Sequence, residues 1–167
     1  RNFIRPSEIG LYIHIPFCRY KCWYCDFYSV ATNNNQALIS EYITKLIDQL
    51  HKFYSTIHSP KIKTVYIGGG TPSTLQIHDL KRLLQAVNDL TGGTDIEEFT
   101  IEVNPESVTA DFLSVCGDLG TSRISAGIQS LDQKTLESMG RGVTLKETLS
   151  GLDIIKSRWN GLLSFDL

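Results

Sequence analysis

A chain of 167 residues with 41% hydrophobic and 20% charged residues has the make-up of one globular domain, and its net charge of −2 gives no electrostatic footing for nucleic acid or an anionic membrane. No apolar run approaches the roughly 20 residues of a membrane span, and the opening has no signal-peptide core. Four cysteines with three of them clustered are no secreted disulfide framework, so a reducing cytoplasm is the expected compartment.

In chain order, residues 1–9 read as an irregular leader and residues 10–167 as one domain. The apolar run from Gly10 to Phe17 leads into Cys18-Arg19-Tyr20-Lys21-Cys22-Trp23-Tyr24-Cys25, a C-x3-C-x2-C spacing. Asn33-Asn34-Asn35 breaks the pattern. Leu38, Tyr42, Leu46, Leu50 and Tyr54 then recur every four residues, which predicts a helix ending near Ser55. The β-branched run Lys63–Ile67 stops at Gly68-Gly69-Gly70. A second helical stripe, Leu80, Leu83, Leu84, Val87 and Leu90, ends at Gly92-Gly93. Glu98–Val103 is the next strand. Thr109 caps a helix carrying Phe112, Val115, Cys116 and Leu119, with Gly120 as its stop. Residues Arg123–Gln129 form a strand, and Ser130-x-x-Gln133 and Thr144-x-x-Glu147 are capping boxes opening two helices, the second carrying Leu145, Leu149, Leu152 and Ile155. The chain starts without Met and stops inside the apolar run Leu162–Leu167. That reads as a piece of a longer protein, with a further strand and a C-terminal region outside it.

Alternation of strand and helix implies an α/β fold of parallel strands with crossover helices. Along the strands one face is apolar: Leu11, Ile13 and Ile15; Val65 and Ile67; Phe99, Ile101 and Val103; Ile124, Ala126 and Ile128; Leu163, Phe165 and Leu167. The other is polar or small: Tyr12 and His14; Tyr66 and Gly68; Thr100, Glu102 and Asn104; Arg123, Ser125, Gly127 and Gln129; Ser164 and Asp166. A doubly wound sheet is apolar on both faces. One apolar face predicts helices on one side only, a sheet curling into a partial (βα) barrel, and a polar interior that is a ligand cavity. The cysteines, Gly69–Thr71, Glu102, Gln129 and Asp166 fall at the C-terminal ends of the strands, on one rim.

Thiolates suit iron–sulfur clusters and zinc. The three cysteines can hold a four-iron cluster with one iron left open, a zinc ion completed by His14 or Cys116, or a C-x-x-C redox pair. His14, facing the interior, reads as a satisfied histidine and Cys116, on an apolar helix face, as core.

The wording of several blocks, in order, narrows this. Tyr12-Ile-His-Ile-Pro-Phe-Cys18, Tyr24-Cys25, Gly68-Gly-Gly-Thr-Pro-Ser73, Glu102-Val-Asn-Pro105, Arg123-Ile-Ser-Ala-Gly-Ile-Gln-Ser130, Gly140-Arg141 and Phe165-Asp-Leu167 resemble the oxygen-independent coproporphyrinogen III oxidase-like family of radical S-adenosylmethionine (SAM) proteins. The resemblance implies that Cys18, Cys22 and Cys25 ligate three irons of a [4Fe–4S] cluster whose fourth iron takes the amino and carboxylate groups of SAM. One electron then breaks a sulfonium C–S bond. It further implies that Gly69, Gly70 and Thr71 meet the methionyl amine and that Arg141 pairs the methionyl carboxylate. Glu102, Gln129 and Asp166 would contact SAM, Tyr24 would lie beside the adenine, and Tyr12 would reach the cofactor from the first strand. Read from the residues alone, Glu102 could instead pair with Arg123, Arg141 could be a solvated charge and Tyr12 could be packing. In the decarboxylases of the family a further cysteine stands two positions beyond the third cluster cysteine, where this chain has Phe27. The Cys25-Asp26-Phe27 wording resembles the heme-chaperone branch. The implied partners are SAM, heme or a porphyrinogen, a reductant such as flavodoxin or ferredoxin, and heme-acceptor proteins.

Overall fold

The computed structural model describes residues 7–32, 35–92 and 96–167. Strand β1 (Glu8–Ile15) runs into a short strand β2 (Phe17–Cys18), which pairs in parallel with β3 (Val30–Ala31) on the far side of the cysteine loop. Helix α1 (Gln36–Thr56), β4 (Lys61–Gly69), α2 (Ile77–Thr91), β5 (Glu98–Val103), α3 (Ala110–Asp118) and β6 (Arg123–Gly127) alternate after it. Two helices in succession, α4 (Gln133–Ser138) and α5 (Leu145–Arg158), precede β7 (Leu162–Asp166). The main sheet has the order β1-β4-β5-β6-β7, every pair parallel. This is the α/β architecture with a parallel sheet that the sequence predicts. The first strand opens at Glu8, which pairs with Lys61, two residues before the boundary read from sequence.

Register turns the period-two pattern into layers. Ile13, Ile67, Ile101 and Ile124 lie side by side across four strands, each at most 2% exposed, under α1, α2 and α3. The same row ends on β7 at Leu163, which is 38% exposed, and Phe165 and Leu167 are more exposed still. Their expected place in the core is not realised because α5 makes its main contacts with α3 and the Pro105–Ser107 turn.

The α2 stripe is as predicted, with Leu80, Leu83, Leu84 and Val87 fully buried. In α1 the buried line is Ile39, Ile43 and Leu50, while Leu38 is exposed. A repeat of four drifts about 40° around the helix at each step, so the predicted line leaves the core at Leu38, while Tyr42, Leu46 and Tyr54 pack against its edge and Leu50 lies in it. Asn35 caps this helix by accepting from the Leu38 N–H; Asn33, Asn34 and Gly93 lie outside the described residues. Thr109 caps α3 as predicted, and Thr144 and Glu147 form the full capping box of α5. The buried face of α5 is Thr148, Gly151 and Ile155, with Leu149 exposed, since a Cβ on Gly151 would stand 2.0 Å from the Pro105 carbonyl oxygen. Helix α4 is capped by Asp132, which accepts from the Thr135 N–H at 2.8 Å. A carboxylate there adds charge to the capping bond, and Ser130 instead accepts from the Asp132 N–H.

Candidate functional site

The cysteine loop leaves the sheet at Pro16 and returns to it at Val30, whose N–H bonds the Pro16 carbonyl at 2.7 Å. Cys18 is therefore held on a paired strand, and its carbonyl accepts from the Thr32 N–H. Cys22 and Cys25 sit in a turn closed by the Cys25 N–H on the Cys22 carbonyl. Two rings dock the loop onto the segment between α4 and α5. The Trp23 N–H bonds the Met139 carbonyl at 3.0 Å, and its ring lies so close over Gly140 that a Cβ there would stand 2.7 Å from it. On the other side of Arg141, a Cβ on Gly142 would meet the Tyr20 ring at 3.3 Å. Glycine on both sides of Arg141 lets the loop approach this closely.

Below the loop a cavity of about 680 Å³ opens at the C-terminal ends of the strands. Cys18, Cys22, Cys25, Tyr24, Gly69, Gly70, Thr71, Glu102, Gln129, Arg141 and Asp166 all line it. Tyr12 alone of the predicted residues stands outside the wall: its hydroxyl meets His14 Nδ1 at 3.0 Å and its ring stacks on Tyr66. His14 completes its bonding through Nε2 to the Tyr28 carbonyl, so neither ring nitrogen is spare for a metal. Cys116 is fully buried in the helix-side core, with burial pushing its thiol up to about 12. Neither can complete a zinc site.

Strand register sets the polar wall. Glu102 accepts from the Tyr66 hydroxyl at 2.7 Å and from the Gly69 N–H at 3.0 Å. Burial and this carboxylate both push the Tyr66 phenol up. Arg123 is taken by Glu98 and Ser164, which removes the alternative pairing with Glu102. The Gly70 and Thr71 N–H groups bond the carbonyls of Ile15 and Phe17, fixing the glycine edge against the cysteine strand. Thr71 in turn donates to the Cys18 sulfur at 3.6 Å and receives Asn104 Nδ2. Gln129 lies beyond β6 rather than in it, with φ of 67°, and its N–H bonds the Asp166 carbonyl.

Arg141 is 3% exposed, which removes the reading as a solvated charge. Its Nη2 donates to the Gly127 carbonyl and lies 3.6 Å from Glu106 Oε2, and its Nη1 reaches the Tyr24 hydroxyl at 3.4 Å. Its Nε is buried without a hydrogen-bond partner. Burial pushes the Cys22 thiol up, while the Tyr24 hydroxyl and the Arg141 guanidinium pull it back down. Sequence reasoning missed Glu106 and Tyr20, which line the cavity together with Asn104 and Ser125 of the predicted polar face. A signal existed for Glu106, an acid directly after the strand-ending Asn104-Pro105; Tyr20 was hidden among the other aromatics of the loop.

A family model described as the radical SAM superfamily matches residues 12–165. The chain belongs to the radical SAM superfamily. Among curated relatives, the heme chaperone HemW of Lactococcus lactis is 35% identical over 156 residues, covering 93% of this chain and 40% of that protein. Anaerobilin synthase of Escherichia coli O157:H7 is 36% identical over 138 residues, covering 81% and 31%. The solved coproporphyrinogen III oxidase HemN of Escherichia coli, described as a radical SAM enzyme, superposes with a TM-score of 0.77 at 21% identity, over 96% of this chain and 38% of that one. That likeness establishes the fold. The chain thus spans about two fifths of the length of HemW.

A radical SAM protein carries a [4Fe–4S] cluster and SAM, and the residues here suit both. Among the described residues no three His, Cys, Asp or Glu side chains converge closely enough to hold a single metal ion. A four-iron cluster asks for something else, since each thiolate takes a separate iron corner and the sulfurs must border a space, as the three cysteines do at this cavity. For a zwitterionic nucleoside the wall offers a buried guanidinium with a free N–H and three carboxylates, those of Glu102, Glu106 and Asp166. No helix among the described residues is long and apolar enough to cross a membrane.

Proposed function

We propose that this radical SAM chain is the cluster- and SAM-binding part of a heme chaperone, which binds heme and passes it to acceptor proteins. Cys18, Cys22 and Cys25 hold the three protein-ligated irons. Gly69, Gly70 and Thr71 receive the methionyl amine, Arg141 the methionyl carboxylate, and Tyr24 the adenine, with Glu102, Gln129 and Asp166 completing the polar contacts. When bound, cluster and SAM supply a one-electron route to breaking a C–S bond, with a small electron-transfer protein such as flavodoxin or ferredoxin as reductant. The residues of the chain bind, orient and keep water from that pair.

The observation that carries the chaperone reading is Phe27. It lines the cavity mouth, 68% exposed, where the decarboxylases place a further cysteine. An exposed aromatic ring there offers a planar apolar surface to a macrocycle and removes a thiol from the reaction space. Identity by itself does not choose, since HemW and anaerobilin synthase are about equally similar to this chain.

The test is to offer the protein heme and coproporphyrinogen III separately, with SAM and a reductant. Stoichiometric heme binding without decarboxylation is expected. Formation of vinyl product from the porphyrinogen would reject the carrier in favour of an oxygen-independent coproporphyrinogen III oxidase.

A further inference from the structure

The buried acid beside Arg141, one of the three carboxylates of the cavity wall, is not assigned a group of SAM. Glu106 enters the cavity from the turn Pro105–Ser107 that follows β5, and its side chain is only 7% exposed. A carboxylate so deeply buried is retained only with compensation. Its two oxygens are compensated by different parts of the molecule. Oε1 accepts from the Tyr20 hydroxyl at 3.1 Å, and Tyr20 lies between Cys18 and Cys22. Oε2 makes no hydrogen bond and faces Arg141 Nη2 at 3.6 Å.

We propose that Glu106 is a positioning residue, whose carboxylate holds the Arg141 guanidinium on one oxygen and the cysteine loop, through Tyr20, on the other. The inference rests on the reading that Arg141 receives the SAM carboxylate. Three anchors set the guanidinium: the Gly127 carbonyl, Glu106, and the Tyr24 hydroxyl. Of these only Glu106 carries charge, so it supplies the one ionic part of the compensation that a guanidinium 2% exposed needs before ligand arrives. Glu106 bonds the loop at Tyr20, an effect that iron content would report, and reaches a SAM-binding group at Arg141. Its effect should therefore vanish when the ligand has no carboxylate for Arg141 to meet.

The test measures dissociation constants of SAM and of decarboxylated SAM on cluster-loaded protein, each as a ratio to the unaltered protein, with iron content recorded alongside. Glu106→Gln keeps the shape and removes the charge. Outer-shell partners of metal ligands are typically worth about 10–100-fold; at the lower end of that scale for the partner of a ligand-binding arginine, SAM should bind about tenfold more weakly and decarboxylated SAM unchanged. Combined with Arg141→Lys, Glu106→Gln should add nothing further, because the two act as one unit. Unchanged SAM affinity, equal weakening of both ligands, or full additivity would overturn the inference. Arg141→Lys weakening both ligands alike would instead overturn the carboxylate role of Arg141, whatever Glu106 does. If Glu106→Gln loses iron or fails to fold, Tyr20→Phe, which removes one hydroxyl, tests the same carboxylate. A smaller loss for SAM alone is then expected, and no loss at all would reject the proposal.

Discussion

Cys22→Ala is expected to abolish cluster binding, while Cys116→Ala keeps the full complement of about four irons and the absorbance of a [4Fe–4S] cluster after anaerobic reconstitution. The contrast follows from where the thiols sit. Cys18, Cys22 and Cys25 border one cavity, so removing one leaves two corners of the cluster held and a third bare beside the one already open. Cys116 is sealed in the core among the helices. Its thiol, raised to about 12 by burial, stays protonated, and a protonated thiol is a poor ligand. Iron lost equally from both variants, or tightly bound zinc in the unaltered protein, would show that the ligands are misassigned.

Gly70→Ala should damage the site almost as severely while leaving every cluster ligand in place. An added Cβ would stand 2.6 Å from the Phe17 carbonyl oxygen and 2.9 Å from the Phe17 nitrogen and carbonyl carbon. All three are backbone atoms of β2, which cannot turn aside as a side chain can. Either β2 moves and takes Cys18 with it, or the glycine edge moves and takes Thr71. Forcing a methyl into such a gap costs about 1–3 kcal/mol, and because about 1.4 kcal/mol is a factor of ten in binding, a cost of that size falling on the SAM site should weaken SAM binding by about fivefold to a hundredfold. Urea unfolding reports the first quantity and equilibrium dialysis the second. Gly117→Ala is the control: its Cβ would meet nothing closer than a Trp159 ring carbon at 3.9 Å, so SAM binding should be unchanged. If both alanines behave alike, the close approach of Gly70 to β2 is not what shapes the cavity.

What could be read from sequence divides along physical lines. Period-two patterning placed Ile13, Ile67, Ile101 and Ile124 on one face, and the structure aligns them in one row, because alternation in a strand is a local property. The cysteine spacing was equally legible. On α1 the predicted stripe holds at Tyr42, Leu46, Leu50 and Tyr54 and fails at Leu38, since whether Leu38 or Ile39 faces inward depends on where the sheet lies, not on the helix alone. The α4 boundary was misread because Ser130 and Asp132 both fit an N-cap, and only the turn at Gln129 decides between them. Tyr12, which the resemblance places at the cofactor, lies outside the cavity wall, and its hydroxyl meets His14 two residues away. Glu106 escaped notice because its partners, Tyr20 and Arg141, are 86 and 35 positions distant, and no window along the chain holds all three.

The three thiols occupy a span of eight residues, 18–25, whereas the rest of the cavity wall is gathered from the ends of distant strands. Once one sulfur is engaged, the other two are already at high effective concentration, because the intervening loops are too short to stray far. The sulfurs therefore form a local chelate that does not need the sheet beneath it to capture iron. The pocket for the nucleoside has no such shortcut and exists only when β4, β5, β6 and β7 are paired. Metal content alone is thus a poor certificate of a folded centre: a preparation can be fully loaded with iron and still have nowhere for its second cofactor to sit.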